Sequence, residues 1–236
     1  MSESGMKLLV SVRNAREADI ALQEGVDIID LKEPEHGALG KVAETEMQGI
    51  AKLVIGHRPL SVALGELAEG AGPLVHGMPQ LDGVSFAKIG LANCNSIQNW
   101  QGLWNQWAGQ LPSRTEPVAV AYADNQSCDA PPLEAVADFT LQTKTRVFLI
   151  DTCNKNLGST FAHVSCEKLT SIIRELQSHS VQVALAGSLK HQDIPQITRI
   201  APDIVAVRGV VCHQNNRQSQ ICPASLRAFR AALGIT

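Results

Sequence analysis

Three apolar runs in this chain end in groups able to work on a carbonyl. The first, Asp27-Ile28-Ile29-Asp30-Leu31-Lys32, closes on an aspartate and a lysine. The second, Val84-Ser85-Phe86-Ala87-Lys88, closes on a lysine. The third, Arg146-Val147-Phe148-Leu149-Ile150-Asp151, closes on an aspartate and is followed by Thr152-Cys153-Asn154-Lys155. An amine at the end of an apolar strand is partly desolvated, which favours its neutral form. The neutral amine is the nucleophile that forms Schiff bases with carbonyls. A second cation nearby lowers the pKa of that amine, and a carboxylate can hold an ammonium in place or shuttle a proton. Any one of these lysines could simply reach along a strand end to water. Three together, two with an aspartate beside them, point to carbonyl chemistry on a small anionic substrate.

The elements that must position these groups alternate along the chain. Strands are expected at Lys7–Val12, Asp27–Lys32, Leu60–Leu64, Gly83–Ile89, Pro117–Tyr122, Arg146–Asp151, Val181–Ala186 and Asp203–Arg208. They are apolar nearly throughout, as parallel strands covered on both faces are. Helical periodicity marks Ala15–Glu24, Ala43–Ile55, Ser96–Ala108, Leu133–Thr143, Cys166–His179, Gln192–Ile200 and Pro223–Leu233. The Gly- and Pro-rich stretch Glu66–Gln80 predicts at most a short or irregular helix. Eight strand slots separated by helices in a chain of this size predict an α/β fold, a single-domain (β/α)8 TIM barrel. An open doubly wound sheet is the alternative, but no G-x-G-x-x-G follows the first strand and no composition shift marks a second domain. Residues 1–5 read as an N-terminal tail and 6–236 as the catalytic barrel. In such barrels the active site lies at the carboxyl ends of the strands. Asp30, Lys32, Lys88 and Asp151 fall there, with Lys155 in the loop after the sixth strand. Alternation along a strand puts Asp30 and Lys32 on one side.

The seventh strand runs into Ala186-Gly187-Ser188-Leu189 and the eighth into Arg208-Gly209-Val210-Val211. Small residues at these ends let backbone N–H groups approach a phosphate, and barrels often bind phosphate there. Gly187, Ser188, Arg208 and Gly209 are therefore candidate phosphate ligands, with Arg208 adding charge. Glycines needed for tight turns alone would give the same pattern. The loop Glu33-Pro34-Glu35-His36-Gly37-Ala38-Leu39-Gly40 reads as a ligand-covering segment or an ordinary connector; His36 could transfer protons there, but a lone loop histidine is more often just solvated. Glu66 ends the third strand, facing either the mouth or solvent. Trp100, Trp104 and Trp107 share a helical face. That face suits packing, or a contact between copies in a homo-oligomer, better than a ligand box.

Composition narrows the function. The chain of 236 residues is 44% hydrophobic and carries a net charge of −3, so it can bury a core and offers no basic tail for nucleic acid or an anionic membrane. Aromatics at 4% exclude stacking platforms for single strands. The six cysteines, at 94, 128, 153, 166, 212 and 222, form no C-x-x-C pair, and the seven histidines form no H-E-x-x-H pattern. They read as reduced thiols of a cytoplasmic protein, without a structural metal or disulfide framework. No apolar run is long enough to span a bilayer, and the start lacks the order of a secretory leader.

Taken together, Asp-Ile-Ile-Asp-Leu-Lys-Glu-Pro with the following Gly-Ala-Leu-Gly resembles the signature of the (5-formylfuran-3-yl)methyl phosphate synthases, which make the furan precursor of methanofuran. The resemblance continues through Phe86-Ala87-Lys88-Ile89-Gly90, Ile150-Asp151-Thr152 with Lys155, Ala186-Gly187-Ser188-Leu189 and Val207-Arg208-Gly209, covering Met6 to Leu233. It implies a TIM-barrel lyase with no metal or organic cofactor, condensing two glyceraldehyde 3-phosphates with loss of phosphate and water. It further implies that Lys32 is the Schiff-base lysine and that Asp30, Lys88, Asp151 and Lys155 are the other catalytic groups. The chain departs from that pattern at Asn156, where an aspartate is expected, and in the Trp- and Gln-rich segment Gln98–Glu116. A class I aldolase or isomerase of sugar phosphates, or a non-catalytic triose-phosphate-binding barrel, would share the same strand ends.

Overall fold

A computed structural model of the chain describes residues 5–69 and 81–235. The tail expected at residues 1–5 and the irregular stretch Glu66–Gln80 therefore fall largely outside the described residues. Eight parallel strands close into a barrel in chain order: β1 (Lys7–Val12), β2 (Ile28–Leu31), β3 (Leu60–Glu66), β4 (Phe86–Gly90), β5 (Glu116–Tyr122), β6 (Val147–Asp151), β7 (Gln182–Leu185) and β8 (Ile204–Val207). Closure comes from β8 pairing with β1, Lys7 opposite Ile204 and Val10 opposite Val207. Among the described residues seven helices pack outside: α1 (Ala15–Gln23), α2 (Glu44–Val54), α3 (Trp100–Ala108), α4 (Leu133–Thr143), α5 (Cys166–Ser178), α6 (Ile194–Ile200) and α7 (Pro223–Ala232). No helix among them is long and apolar enough to cross a membrane. The chain is one (β/α)8 domain, as the alternation predicts.

The strands are apolar on both faces because each face meets a different core. Leu8, Val10, Ile29, Leu31, Phe148 and Ile150 pack outward against the helices. Leu9, Ile28, Ala63, Val118, Val120, Leu149, Ala184, Ala186, Ile204 and Ala206 fill the barrel. The helices supply the complementary stripe. In α5, Leu169, Ile172, Ile173 and Leu176 are buried, the i, i+3, i+4, i+7 spacing of one helical face. Its start is fixed by Ser165, whose hydroxyl accepts from the Lys168 N–H at 3.3 Å.

Two helices begin later than the periodicity predicts. The helix expected from Ser96 starts at Trp100, because the Asn99 side chain accepts from the Gly102 N–H and caps it there. The one expected from Gln192 starts at Ile194, after a 3₁₀ turn at His191–Asp193 and with Pro195 in its first turn, where a missing N–H costs nothing. The three indoles of α3 are buried. Trp100 and Trp104 meet Phe139 of α4 edge-on, with ring centroids 5.0 and 5.2 Å apart. The tryptophan face is internal packing and is not open to a partner.

Candidate active site

The inward face of each strand decides what reaches the mouth. Residues of one face recur every second position, so the row that begins with a core residue ends with a polar one. Leu9 leads to Ser11, Ile28 to Asp30 and Lys32, Phe86 to Lys88, Val120 to Tyr122, Leu149 to Asp151 and Ala206 to Arg208. Small inward residues on the far side, Ala184 of β7, Ala186 just beyond its end and Ala206 of β8, leave space. The result is a cavity of about 750 Å³ at the carboxyl end of the barrel. Asp30, Lys32, Lys88, Asp151, Lys155, Gly187, Ser188, Arg208 and Gly209 all line it.

Two lysine–carboxylate groups sit at its floor. Lys88 Nζ donates to Asp30 Oδ1 at 2.6 Å, and the Ser11 hydroxyl donates to Asp30 Oδ2 at 2.8 Å. All three side chains are buried, so both Asp30 oxygens are taken. The second group is less saturated. Lys155 Nζ donates to Asp151 Oδ1 and to the Thr152 carbonyl, both at 2.5 Å. The Thr152 N–H adds a bond to the same Oδ1 at 2.8 Å. Asp151 Oδ2 is buried with no hydrogen-bond partner and faces Lys32 Nζ at 3.6 Å.

These surroundings set the ionisations. Burial pushes the Lys32 amine down; Asp151 and, less strongly, Asp30 pull it back up, Lys155 and Lys88 push it down again, and it settles at about 8. Burial alone would raise the Asp151 carboxyl, but the Lys155 and Lys32 ammoniums and the hydrogen bonds from Lys155 and Thr152 outweigh it and hold it at about 2. At pH 7 roughly a tenth of an amine with a pKa near 8 is neutral, against well under a thousandth at the ordinary lysine value. The arrangement thus offers a nucleophilic amine with an ionised carboxylate oxygen beside it and a fixed cation behind.

The loop after β6 is tied down by Asp124, which accepts from the Cys153 and Asn154 N–H groups at 2.6 and 2.8 Å. Asn156 is exposed and lines the cavity, its N–H donating to Asn154 Oδ1 at 3.1 Å. At the end of β7, Gly187 has φ +95°, and a Cβ there would lie 2.0 Å from Thr160 Oγ1. Close approach of the Thr160 loop therefore accounts for this glycine by itself.

Arg208 corrects the sequence reading. Its five N–H groups are all engaged: Nε with the Arg217 carbonyl, one terminal nitrogen with Ser11 O and Glu17 Oε2, the other with Glu17 Oε1 and Ser219 O. Glu17 is itself buried and also accepts from the Arg13 N–H at 2.8 Å. A guanidinium has five donors, so Arg208 has none left for a phosphate. It ties β8 to β1 and α1.

Sequence reasoning missed Ser11 and the partners of Glu66. Ser11 is a polar residue inside an apolar strand, opposite Asp30 in the β1–β2 register, and that interruption was the available signal. Glu66 is neither free at the rim nor solvated. It accepts from the Tyr122 hydroxyl at 2.6 Å and the Ala92 N–H at 2.9 Å. Its carboxylate occupies the space a Cβ would take at Gly90, 1.9 Å away. Burial raises the Glu66 carboxyl despite these donors. His36 is exposed, its Nδ1 3.3 Å from the Lys41 carbonyl oxygen. Among the described residues no group of three or more His, Cys, Asp or Glu side chains could hold a metal ion.

A closed eightfold barrel with lysines and aspartates at its carboxyl mouth places the chain among the TIM-barrel proteins. Solved structures agree on that fold. Phosphoribosyl anthranilate isomerase from Thermus thermophilus superposes with a TM-score of 0.62 at 12% identity, covering 97% of this chain and 98% of that one. KGPDC from Streptococcus mutans gives 0.57 at 12%, covering 97% of each. Sequence relatives are more specific. A (5-formylfuran-3-yl)methyl phosphate synthase of Methanosarcina acetivorans is 30% identical over 218 residues, 90% of this chain and 93% of that protein. A putative (5-formylfuran-3-yl)methyl phosphate synthase of Streptomyces griseus is 29% identical over 237 residues, 97% and 94% of the two. The family model described as 4-HFC-P synthase matches residues 8–230. The chain belongs to this 4-HFC-P synthase family.

Proposed function

We propose that the protein condenses two molecules of glyceraldehyde 3-phosphate into (5-formylfuran-3-yl)methyl phosphate, through a Schiff base on Lys32, for a methanofuran-type cofactor. The balance is one phosphate and two waters lost, so the reaction is a carbon–oxygen lyase step without net oxidation. The observation that carries the reading is Lys32 itself: buried, shifted to about 8, and facing the unpaired Asp151 Oδ2 at 3.6 Å. Its neutral amine adds to the carbonyl carbon of one triose phosphate, and loss of water gives the imine. Positive charge on that nitrogen acidifies the adjacent C–H. Asp151 Oδ2 accepts and returns protons, while the Lys155 ammonium helps to hold Asp151 ionised and to lower the Lys32 pKa. The resulting enamine carbon adds to the aldehyde of the second triose. Lys88 and Lys155 supply positive charge near the departing phosphate. The cavity of about 750 Å³ is within the range that encloses drug-sized ligands, enough for two trioses. Backbone N–H groups of Gly187, Ser188 and Gly209 serve as phosphate donors.

Incubation with glyceraldehyde 3-phosphate tests the reading. Furan ultraviolet absorbance should rise together with released phosphate, and cyanoborohydride should fix substrate on Lys32. A hexose phosphate product, or dihydroxyacetone phosphate alone, would instead mark an aldolase or isomerase. Binding with no turnover would reduce the protein to a triose-phosphate-binding barrel.

A further inference from the structure

With Arg208 saturated, the cation facing the β8 side of the cavity comes from further along the chain. The segment after β8 turns through 3₁₀ helices at Gly209–Val211 and His213–Asn215 and returns in an antiparallel bridge between Cys212 and Ile221. Arg217 sits on this loop and lines the cavity. Arg208 Nε grips its carbonyl oxygen at 2.5 Å, so the buried Arg208–Glu17 pair fixes where Arg217 starts. A Cβ at Gly209 would lie 3.8 Å from Arg217 Cβ, which puts Arg217 directly beside the small-residue step of β8. Its guanidinium makes one hydrogen bond among the described residues, to the Gly37 carbonyl at 3.2 Å. Burial lowers its pKa, with Asp151 and Glu33 attracting and Arg208 repelling. The neighbouring Arg13 differs: it donates to Glu33, Glu35 and the Gln218 carbonyl. Arg217 is thus a half-buried cation lining the cavity whose N–H fork is mostly uncommitted and which, among the described residues, makes no ion pair with a carboxylate.

We infer that Arg217 recognises a phosphate monoester of the substrate. The inference rests on the proposal that the cavity receives phosphorylated trioses. A guanidinium presents parallel N–H groups that match two phosphate oxygens, and a dianion supplies the charge compensation this cation lacks. Its position between Gly209 and the Gly37 loop puts that phosphate over the β8–β1–β2 side of the cavity that Lys32 also lines.

The test uses Arg217→Ala and Arg217→Lys with two probes, inorganic phosphate as a competitor of turnover and unphosphorylated D-glyceraldehyde as an imine former. Arg217→Ala should raise both the KM for glyceraldehyde 3-phosphate and the inhibition constant of inorganic phosphate by about 30- to 100-fold, the scale of a lost charged hydrogen-bonding pair. Cyanoborohydride capture of D-glyceraldehyde on Lys32 should run at the natural rate. Arg217→Lys, which keeps the charge but not the fork, should recover part of the loss. If KM and phosphate inhibition stay within about threefold of natural while the unaltered protein still makes furan, the phosphate lies elsewhere and only this inference fails. Slower capture of D-glyceraldehyde in Arg217→Ala would make the residue a structural support and would also overturn it. If the unaltered protein neither turns over the triose phosphate nor responds to inorganic phosphate, the proposed function falls first and this inference with it.

Discussion

Replacing Asp151 by asparagine should move the ionisation of Lys32 down. Asp151 Oδ2 stands 3.6 Å from Lys32 Nζ. Two unit charges at that separation attract by roughly 4 to 5 kcal/mol at an effective dielectric of about 20. Lys155 shares the carboxylate at 2.5 Å, so the part felt by Lys32 is smaller. At about 1.4 kcal/mol per pKa unit, losing the carboxylate should lower Lys32 by about one to three units, from about 8. Lys155, left without its counter-charge, pushes in the same direction. The assay is the pH dependence of cyanoborohydride capture of glyceraldehyde 3-phosphate, read as the Lys32 adduct by peptide mass. Capture by the natural protein should reach half its maximum near the Lys32 value of about 8, and capture by Asp151→Asn about one to three units lower. At about pH 6 the variant should therefore form adduct faster than the natural protein, although its furan output drops by about 10²-fold or more for want of a proton carrier. An unchanged midpoint, or one that rises, would refute the claim that Asp151 and Lys32 face each other as charged partners.

Two further outcomes follow from the same geometry. Lys32 folds with a pKa of about 8 against an ordinary 10.5, so its ammonium opposes folding below about pH 8 and stability recovers as pH climbs through the interval up to about 10.5. Lys32→Met should therefore abolish furan formation while leaving the Tm at about pH 7 equal or higher, by thermal unfolding; a clear fall in Tm would make the lysine a structural member. Gly187→Ala should cost about 1 to 3 kcal/mol in urea unfolding through its positive φ and the collision with Thr160. Thr160→Ala added to it should cost less than the sum of the two changes, and a single change within about 0.5 kcal/mol of natural would show that the loop yields freely.

The barrel was legible because eight short apolar runs recur between helical segments, and the mouth was legible because Asp30, Lys32, Lys88 and Asp151 end those runs on the inward face. Periodicity reports which face a residue occupies and which end of a strand it ends. It does not report what a side chain finds there. Arg208 looked available for phosphate, yet its partner Glu17 lies on a helix at the other end of the chain, met only when β8 closes on β1. Arg217 sits in the polar stretch His213–Gln220, where no spacing signals that the Arg208 grip brings it over the cavity. The Glu66–Tyr122 contact depends on the missing methyl at Gly90, and three residues on three strands leave no common spacing. Helix starts moved for a local reason: Asn99 caps where the apolar period had already begun.

Because Asp30 and Lys32 inherit their direction from Ile28, and Asp151 from Leu149, the chemistry has no tolerance for a change of strand length. One residue inserted or deleted between the barrel-filling positions and the mouth would turn these side chains outward and draw their neighbours Leu31 and Ile150 in. Lys155 and Arg217 reach the cavity from loops, where lengthening costs little. Gain and loss of residues during divergence should accordingly be confined to the connections, and an active lineage could change its substrate range through the segments carrying Lys155 and Arg217 while the β2 and β6 frames stay fixed.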